Sequence, residues 1–342
     1  MTQQLDDSIK YKARDFASDQ DNRWCPGCGD YAILKQVQAA VAEIGVKKED
    51  IVFISGIGCS SRFPYYMDTY GMHSIHGRAT AISSGLIASR PELSTWIITG
   101  DGDSLSIGGN HLIHSLRRNF DTNILLFNNE IYGLTKGQYS PTSPVGSISK
   151  SSPLGTVDHP FNPAALAMGS DASFVARTID REPRHMKEIF LEAEKHKGTS
   201  FVEIYQNCIV FNDGAFSPYT ERGVKEDHLL FLKEGEPLTF SKDTRGIKLD
   251  GFKPVVVDLN EVSKDELWIH DSSDHMKGYI LSRIFEDPTK EEVLPRPFGI
   301  FFKQERETYE DALKAQIDHA IETQGEGDLD QLLRGNNVWK VD

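Results

Sequence analysis

From Trp24 to Cys208, short apolar runs rich in β-branched and aromatic residues alternate with stretches whose apolar positions recur at helical spacing. Ile51-Val52-Phe53-Ile54 reads as a buried strand and leads into a Gly- and Ser-rich turn over Ser55–Ser60. Small residues over Arg78–Ala88 suit a closely packed helix. Thr95–Thr99 is a second strand, ending in Gly100-Asp101-Gly102-Asp103. Leu112, Ile113 and Leu116 give one apolar face to a helix over Ile107–Arg118, and Asn123–Phe127 and Ser200–Tyr205 complete the strand set. Strand, turn and helix repeated in this way predict an α/β fold: a mostly parallel sheet with helices on both faces. No internal repeat is apparent.

Between Gly133 and Pro163 the pattern breaks into a long stretch rich in Gly, Ser, Thr and Pro; a structureless loop of that length in a compact domain is usually functional. Beyond Asp227 the chain becomes turn-rich over Gly235–Gly251, offers a strand at Pro254–Leu259, and is highly charged with helical spacing over Lys303–Leu333. These shifts divide the chain into an N-terminal arm (1–22), a central domain (23–227) and a C-terminal extension (228–342) expected to contact another subunit.

Composition narrows the function. The 342 residues carry a net charge of −14, which disfavours nucleic acid as a partner, since phosphate binding needs clustered Lys and Arg. No run approaches the ~18 apolar residues of a membrane span, and the first two dozen residues mix both charge signs without an apolar stretch. A cytoplasmic, non-membrane protein is the expectation.

The strongest chemical signal is Gly100-Asp101-Gly102 followed, after 25 intervening residues, by Asn128-Asn129. Both ends follow predicted parallel strands, where α/β proteins gather ligands. The pattern suits a magnesium-held diphosphate: Asp101 offers an anionic oxygen, Asn129 a neutral carbonyl, the glycines let backbone approach phosphate, and a helix after Asp103 adds amides. The four cysteines, Cys25, Cys28, Cys59 and Cys208, form one C-x-x-C pair and two singles. Taken alone they fit an iron–sulfur cluster, a structural zinc site or unligated core thiols. Gly56-Ile57-Gly58-Cys59-Ser60-Ser61 begins like a dinucleotide fingerprint but lacks its third glycine. His111 and His114 share a helix face with no third ligand in view, which reads as ordinary helix histidines.

Gly100-Asp101-Gly102 with Asn128-Asn129-Glu130-Ile131-Tyr132-Gly133 resembles the thiamine diphosphate motif. Cys25-Pro26-Gly27-Cys28-Gly29, Gly58-Cys59-Ser60-Ser61-Arg62 and Tyr132-Gly133-Leu134-Thr135-Lys136-Gly137-Gln138 resemble the β subunits of 2-oxoacid:ferredoxin oxidoreductases. GCSSRFPYY and IHGRA are most similar to the 2-oxoglutarate enzymes. The resemblance spans about Asn22 to Asp213.

That resemblance implies a thiamine diphosphate-binding fold with Mg²⁺ held by the side chains of Asp101 and Asn129 and the backbone carbonyl of Ile131. It implies cofactor contacts at Ile57, Gly58, Cys59, Ser60, His76, Gly102, Asp103, Gly133 and Leu134. It also implies a 4Fe–4S cluster on Cys25, Cys28, Cys59 and Cys208, close to the thiazolium because Cys59 lies in the cofactor turn. The implied reaction is CoA-dependent oxidative decarboxylation of 2-oxoglutarate to succinyl-CoA and CO₂, with electrons passed to ferredoxin. The implied assembly is a heterodimer with an α subunit, which supplies the glutamate facing the aminopyrimidine, paired into a dimer of heterodimers. Arg62 and Leu134 match positions associated with substrate choice. The guanidinium fork of Arg62 matches the distal carboxylate that 2-oxoglutarate has and pyruvate lacks; its bland reading is a pairing with a local acidic residue.

Overall fold

A computed structural model describes residues 10–284 and 294–339. Eight strands form the central sheet: β1 (Ile51–Ser55), β2 (Tyr70–His73), β3 (Ser94–Gly100), β4 (Thr122–Asn128), β5 (Phe174–Ile179), β6 (Thr199–Tyr205), β7 (Leu229–Phe231) and β8 (Arg296–Lys303). Their order is β2-β1-β3-β4-β6-β5-β8-β7. All neighbours are parallel except β8, which runs antiparallel to β5 through an irregularity between Ile300 and Phe302.

The helices that matter to the sheet and the site are α1 (Asp30–Ile44), α2 (Ala79–Ser89), α3 (Asp101–Leu105), α4 (Gly109–Arg118), α5 (Pro163–Gly169), α6 (Pro183–Lys195), α7 (His275–Arg283) and α8 (Tyr309–Gln324). Strand side chains alternate between the two faces of the sheet. Trp96, Ile98, Leu125, Phe127, Val202 and Ile204 pack against α1 and α6. The residues between them, Ile97, Ile124, Leu126 and Phe201, pack with α2, α4, α5 and α7. Both faces of the central strands are buried, which is why they read as continuous apolar runs.

Two features depart from the pattern-based reading. β7 and β8 lie beyond residue 227, so the segment read as an extension completes the main sheet and also forms a three-stranded antiparallel sheet over residues 239–258. In addition, α3 begins at Asp101 itself and lasts only five residues before α4. Residues 1–9 of the expected arm lie outside the described residues.

One ion pair is sealed inside the sheet. Arg177 on β5 donates through Nε to Glu203 Oε2 on β6 at 2.7 Å, and both side chains are fully buried. The guanidinium also lies over the rings of Tyr205 and Phe301. Removing one member leaves a charge stranded in low dielectric, whereas removing both does not. Arg177→Met should therefore lower unfolding free energy by about 3–5 kcal/mol, and adding Glu203→Leu should recover part of it; urea denaturation of both variants checks this.

Candidate active site

The carboxyl ends of β1, β3, β4 and β6 lie along one edge of the sheet. Gly58 and Cys59 follow β1, Asp101 follows β3, Asn129 and Ile131 follow β4, and Gln206 and Cys208 follow β6. Residues separated by up to 150 positions, Gly58 and Cys208, are thus delivered to one edge by strand direction.

Asp101 is buried, and its Oδ2 accepts from Ser140 Oγ at 2.5 Å and Thr142 Oγ1 at 2.6 Å. Burial raises its pKa, and the two hydroxyls oppose that shift. Thr142 Oγ1 also lies 2.9 Å from Asn128 Oδ1, and Asn128 Nδ2 donates to Glu203 Oε1 at 2.8 Å. The long loop after Gly133 is therefore anchored where it passes the site, through Ser140, Thr142 and Ser143. Ser143 Oγ donates to the carbonyl of Glu130 at 2.6 Å. Glu130 takes a φ of 56°, the left-handed region that a Cβ disfavours, in the turn that presents Asn129 and Ile131. Burial pushes the Glu130 carboxyl up to about 7, against the pull of Arg296.

Gly102 is required by its neighbour. Tyr132 OH donates to the Gly102 carbonyl at 2.9 Å, and a Cβ on Gly102 would meet the Tyr132 ring at 2.2 Å. Asp103 acts as a brace. Its Oδ1 accepts from the amides of Ile57 at 3.1 Å and Gly77 at 2.8 Å and pairs with His76 Nδ1 at 2.6 Å, while Oδ2 accepts from Thr99 Oγ1 at 2.9 Å. A carboxylate so occupied holds the Gly56–Gly58 turn and His76 in place. Gly56 makes this possible, because a Cβ there would fall 1.9 Å from Asp103 Oδ2. The chain then enters a 3₁₀ turn over Ser60–Tyr66 with Pro64 inside, not the helix of a dinucleotide fold.

The four cysteines are unbridged and line one cavity of about 210 Å³, together with Trp24, Arg62, Asn129, Gly133, Leu134 and Gln206 among others. A Cβ on Gly133 would come 3.4 Å from Cys208 Sγ and 3.7 Å from Cys59 Sγ, so Gly133 packs directly beside both thiols. Burial pushes the Cys59 thiol up to about 12 and raises Cys28 further, with Asp30 adding to both. Ionising them in this pocket calls for positive charge. Among the described residues no three His, Cys, Asp or Glu side chains meet the geometry of a site for a single ion. His111 and His114 likewise join no such group.

Trp24 closes this cavity from the N-terminal side. Its Nε1 donates to the Cys59 carbonyl at 2.7 Å, and its ring meets Tyr31 and Tyr66 edge-on. A second cavity of about 650 Å³ opens between Asp19–Arg23 and Ile57, Gly58, Tyr65 and His73; Arg62 and Leu134 line both spaces. Among the described residues Arg62 makes no ion pair with a carboxylate. Pattern reading missed Ser140, Thr142, Glu203 and Gln206, because Ser and Thr in a loop, or one polar residue at a strand end, carry no local signature.

The family described as the C-terminal thiamine pyrophosphate-binding domain of thiamine pyrophosphate enzymes matches residues 56–204. The 2-oxoglutarate oxidoreductase subunit KorB of Mycobacterium tuberculosis is 49% identical over 336 residues, 97% of this chain and 89% of that protein. The chain belongs to the β subunits of the 2-oxoacid:ferredoxin oxidoreductases. A second member of this family, the 2-oxoglutarate synthase subunit KorB of Archaeoglobus fulgidus, is 43% identical over 62% of this chain and 75% of its own. Among solved structures, 2-oxoglutarate:ferredoxin oxidoreductase from Magnetococcus marinus, with 2-oxoglutarate, coenzyme A and succinyl-CoA bound, superposes with a TM-score of 0.75. Its identity is 32%, over 94% of this chain and 95% of that one. The site described above is that of a thiamine diphosphate-binding oxidoreductase subunit.

Replacing Asp103 by Ala would orphan the Ile57 and Gly77 amides and free His76, at ~1–3 kcal/mol for each unsatisfied donor. Asp103→Ala should therefore lower the melting temperature more than Asp103→Asn, which keeps one acceptor oxygen. Differential scanning calorimetry of the two variants checks the ranking.

Proposed function

We propose that this β subunit, with an α subunit, converts 2-oxoglutarate and coenzyme A to succinyl-CoA and CO₂ and passes two electrons, one at a time, to ferredoxin. Run backward with a strong reductant, the same chemistry would carboxylate succinyl-CoA. The observation that carries the reading is the shared wall of the two centres: Asn129, at the end of β4, lines the cysteine cavity beside Gly133 and Leu134. An electron carrier so close to the diphosphate site is what an oxidative thiamine enzyme needs and what a non-redox lyase does not.

Bound thiamine diphosphate supplies a carbon nucleophile and an electron sink for decarboxylation of a 2-oxoacid. Asp101 and Asn129, with the Ile131 carbonyl, would hold its Mg²⁺. The backbone of Ile57–Ser60, Gly102 and Gly133 would border the diphosphate and thiazolium, with His76 steadied by Asp103. Cys25, Cys28, Cys59 and Cys208 would hold a 4Fe–4S cluster. Trp24 holds the Cys59 backbone in place through its hydrogen bond to the carbonyl.

Arg62 and Leu134 are assigned to substrate choice. Free of a protein carboxylate and exposed to both cavities, Arg62 can take the distal carboxylate of 2-oxoglutarate in a bidentate pair. The exposed apolar side chains of Tyr65, Tyr70, Met72 and Ile75, on and beside the edge strand β2, suit burial by the α subunit in a heterodimer, itself paired into a dimer of heterodimers. Among the described residues no helix is long and apolar enough to cross a membrane.

Two measurements test the proposal. Anaerobically purified protein should contain about four irons and four acid-labile sulfides per chain; zinc in place of iron would remove electron transfer and leave a non-redox lyase. Arg62→Leu should lower kcat/KM for 2-oxoglutarate by at least ~10-fold, the scale of one lost charged contact, and affect 2-oxobutyrate far less. Equal losses on the two substrates would return Arg62 to a structural role and reopen pyruvate or other 2-oxoacids as the substrate.

A further inference from the structure

Gln206 is a buried residue that follows β6, two positions before Cys208, and its side-chain amide is fully engaged. Its Oε1 accepts from Asn129 Nδ2 at 2.8 Å. Its Nε2 donates to Cys28 Sγ at 3.3 Å and to the backbone carbonyl of Asn207. One side chain therefore touches a residue of the magnesium set and a residue of the cysteine set at once.

The donor and acceptor assignments follow from chemistry. A backbone carbonyl only accepts, so the Asn207 carbonyl requires the NH₂ end of Gln206 to face it. The oxygen end must then face Asn129, which in turn must present its own NH₂. Asn129 Oδ1 is thereby turned the other way, where it accepts from the Ile131 amide at 3.2 Å and is left as the oxygen available to a cation. The remaining Gln206 N–H points at the Cys28 sulfur. The backbone cannot drift either, because the Gln206 amide continues the ladder by donating to the Asn128 carbonyl at 2.9 Å.

We infer that Gln206 is a positioning residue that couples the two centres: it orients Asn129 for the metal and donates an N–H···S hydrogen bond that sets the potential of the cluster. This rests on the reading of the four cysteines as cluster ligands. A hydrogen bond to a ligand sulfur stabilises the more negative, reduced cluster, so its loss lowers the reduction potential. Loss of the Asn129 contact releases the amide of a metal ligand, and outer partners of this kind govern metal affinity about 10–100-fold.

The test uses the anaerobically purified αβ enzyme carrying Gln206→Leu or the near-isosteric Gln206→Glu, each assayed first for iron and sulfide. Potentiometric titration followed by electron paramagnetic resonance should show a more negative midpoint potential in both variants. The Mg²⁺ concentration that half-saturates thiamine diphosphate binding should rise by ~10-fold or more in Gln206→Leu. In Gln206→Glu it should stay near wild type, because a carboxylate still accepts from Asn129. Iron-loaded variants with a wild-type potential would overturn the contact to sulfur. An unchanged Mg²⁺ requirement in Gln206→Leu would overturn the metal side of the bridge. Wild-type enzyme without iron would instead overturn the cluster assignment itself, and the contact to sulfur with it.

Discussion

A single chain of buried polar contacts ties the sheet to the chemistry: Arg177 to Glu203, Glu203 to Asn128, Asn128 to Thr142, and Thr142 to Asp101. Each link crosses between segments far apart in sequence, and each lies where water does not compete. In such surroundings a satisfied network is rigid, and an incomplete one is costly, so the members hold each other in place. Asp101 is thereby fixed by the core of the sheet as well as by its own backbone. The loop from Gly133 to Pro163 is held by the same contacts, since Ser140, Thr142 and Ser143 are its anchors.

Strand direction also explains how Asp101, Asn129, Cys59 and Cys208 share one edge of one sheet. Parallel strands bring all their carboxyl ends to the same side, so the turns after β1, β3, β4 and β6 become neighbours whatever lies between them in the chain. Glycines then allow the close approaches. Gly56 makes room for Asp103 and Gly102 for Tyr132. Trp24, just after the N-terminal arm, closes the cysteine side, its indole tied to the Cys59 carbonyl. Arg62 and Leu134 stand where the cysteine cavity and the outer cavity meet, lining both.

Much of this was legible in the chain. The core strands β1, β3, β4 and β6 announce themselves as apolar runs because both faces are covered, and their limits differ from the observed ones by a residue or so. Gly100-Asp101-Gly102, Asn128-Asn129 and the four cysteines stand out because few residue types can ligate a metal and these supply them at recognisable spacing. Less was legible after residue 227. β7 is only three residues long, and β8 joins the sheet by antiparallel pairing to β5 across more than a hundred positions, so neither carries a local signal of belonging there. The braces Asp103, Thr142 and Gln206 were hidden for a related reason: their roles are defined by partners that the sequence does not place beside them.

The sequence by itself determined the strand–helix alternation, the family resemblance and the residues able to ligate metal, because side-chain chemistry and hydrophobic period are local properties. Tertiary structure alone decided which of those residues meet, and how each is turned. That Asn129 offers its oxygen rather than its nitrogen depends on Gln206, and the orientation of Gln206 depends on the Asn207 carbonyl. Asp103 serves as a brace because the Ile57, Gly77 and His76 donors converge on it. Hydrogen-bond direction and close packing are settled only when distant segments come within a few ångströms of each other, and that proximity is a property of the folded chain.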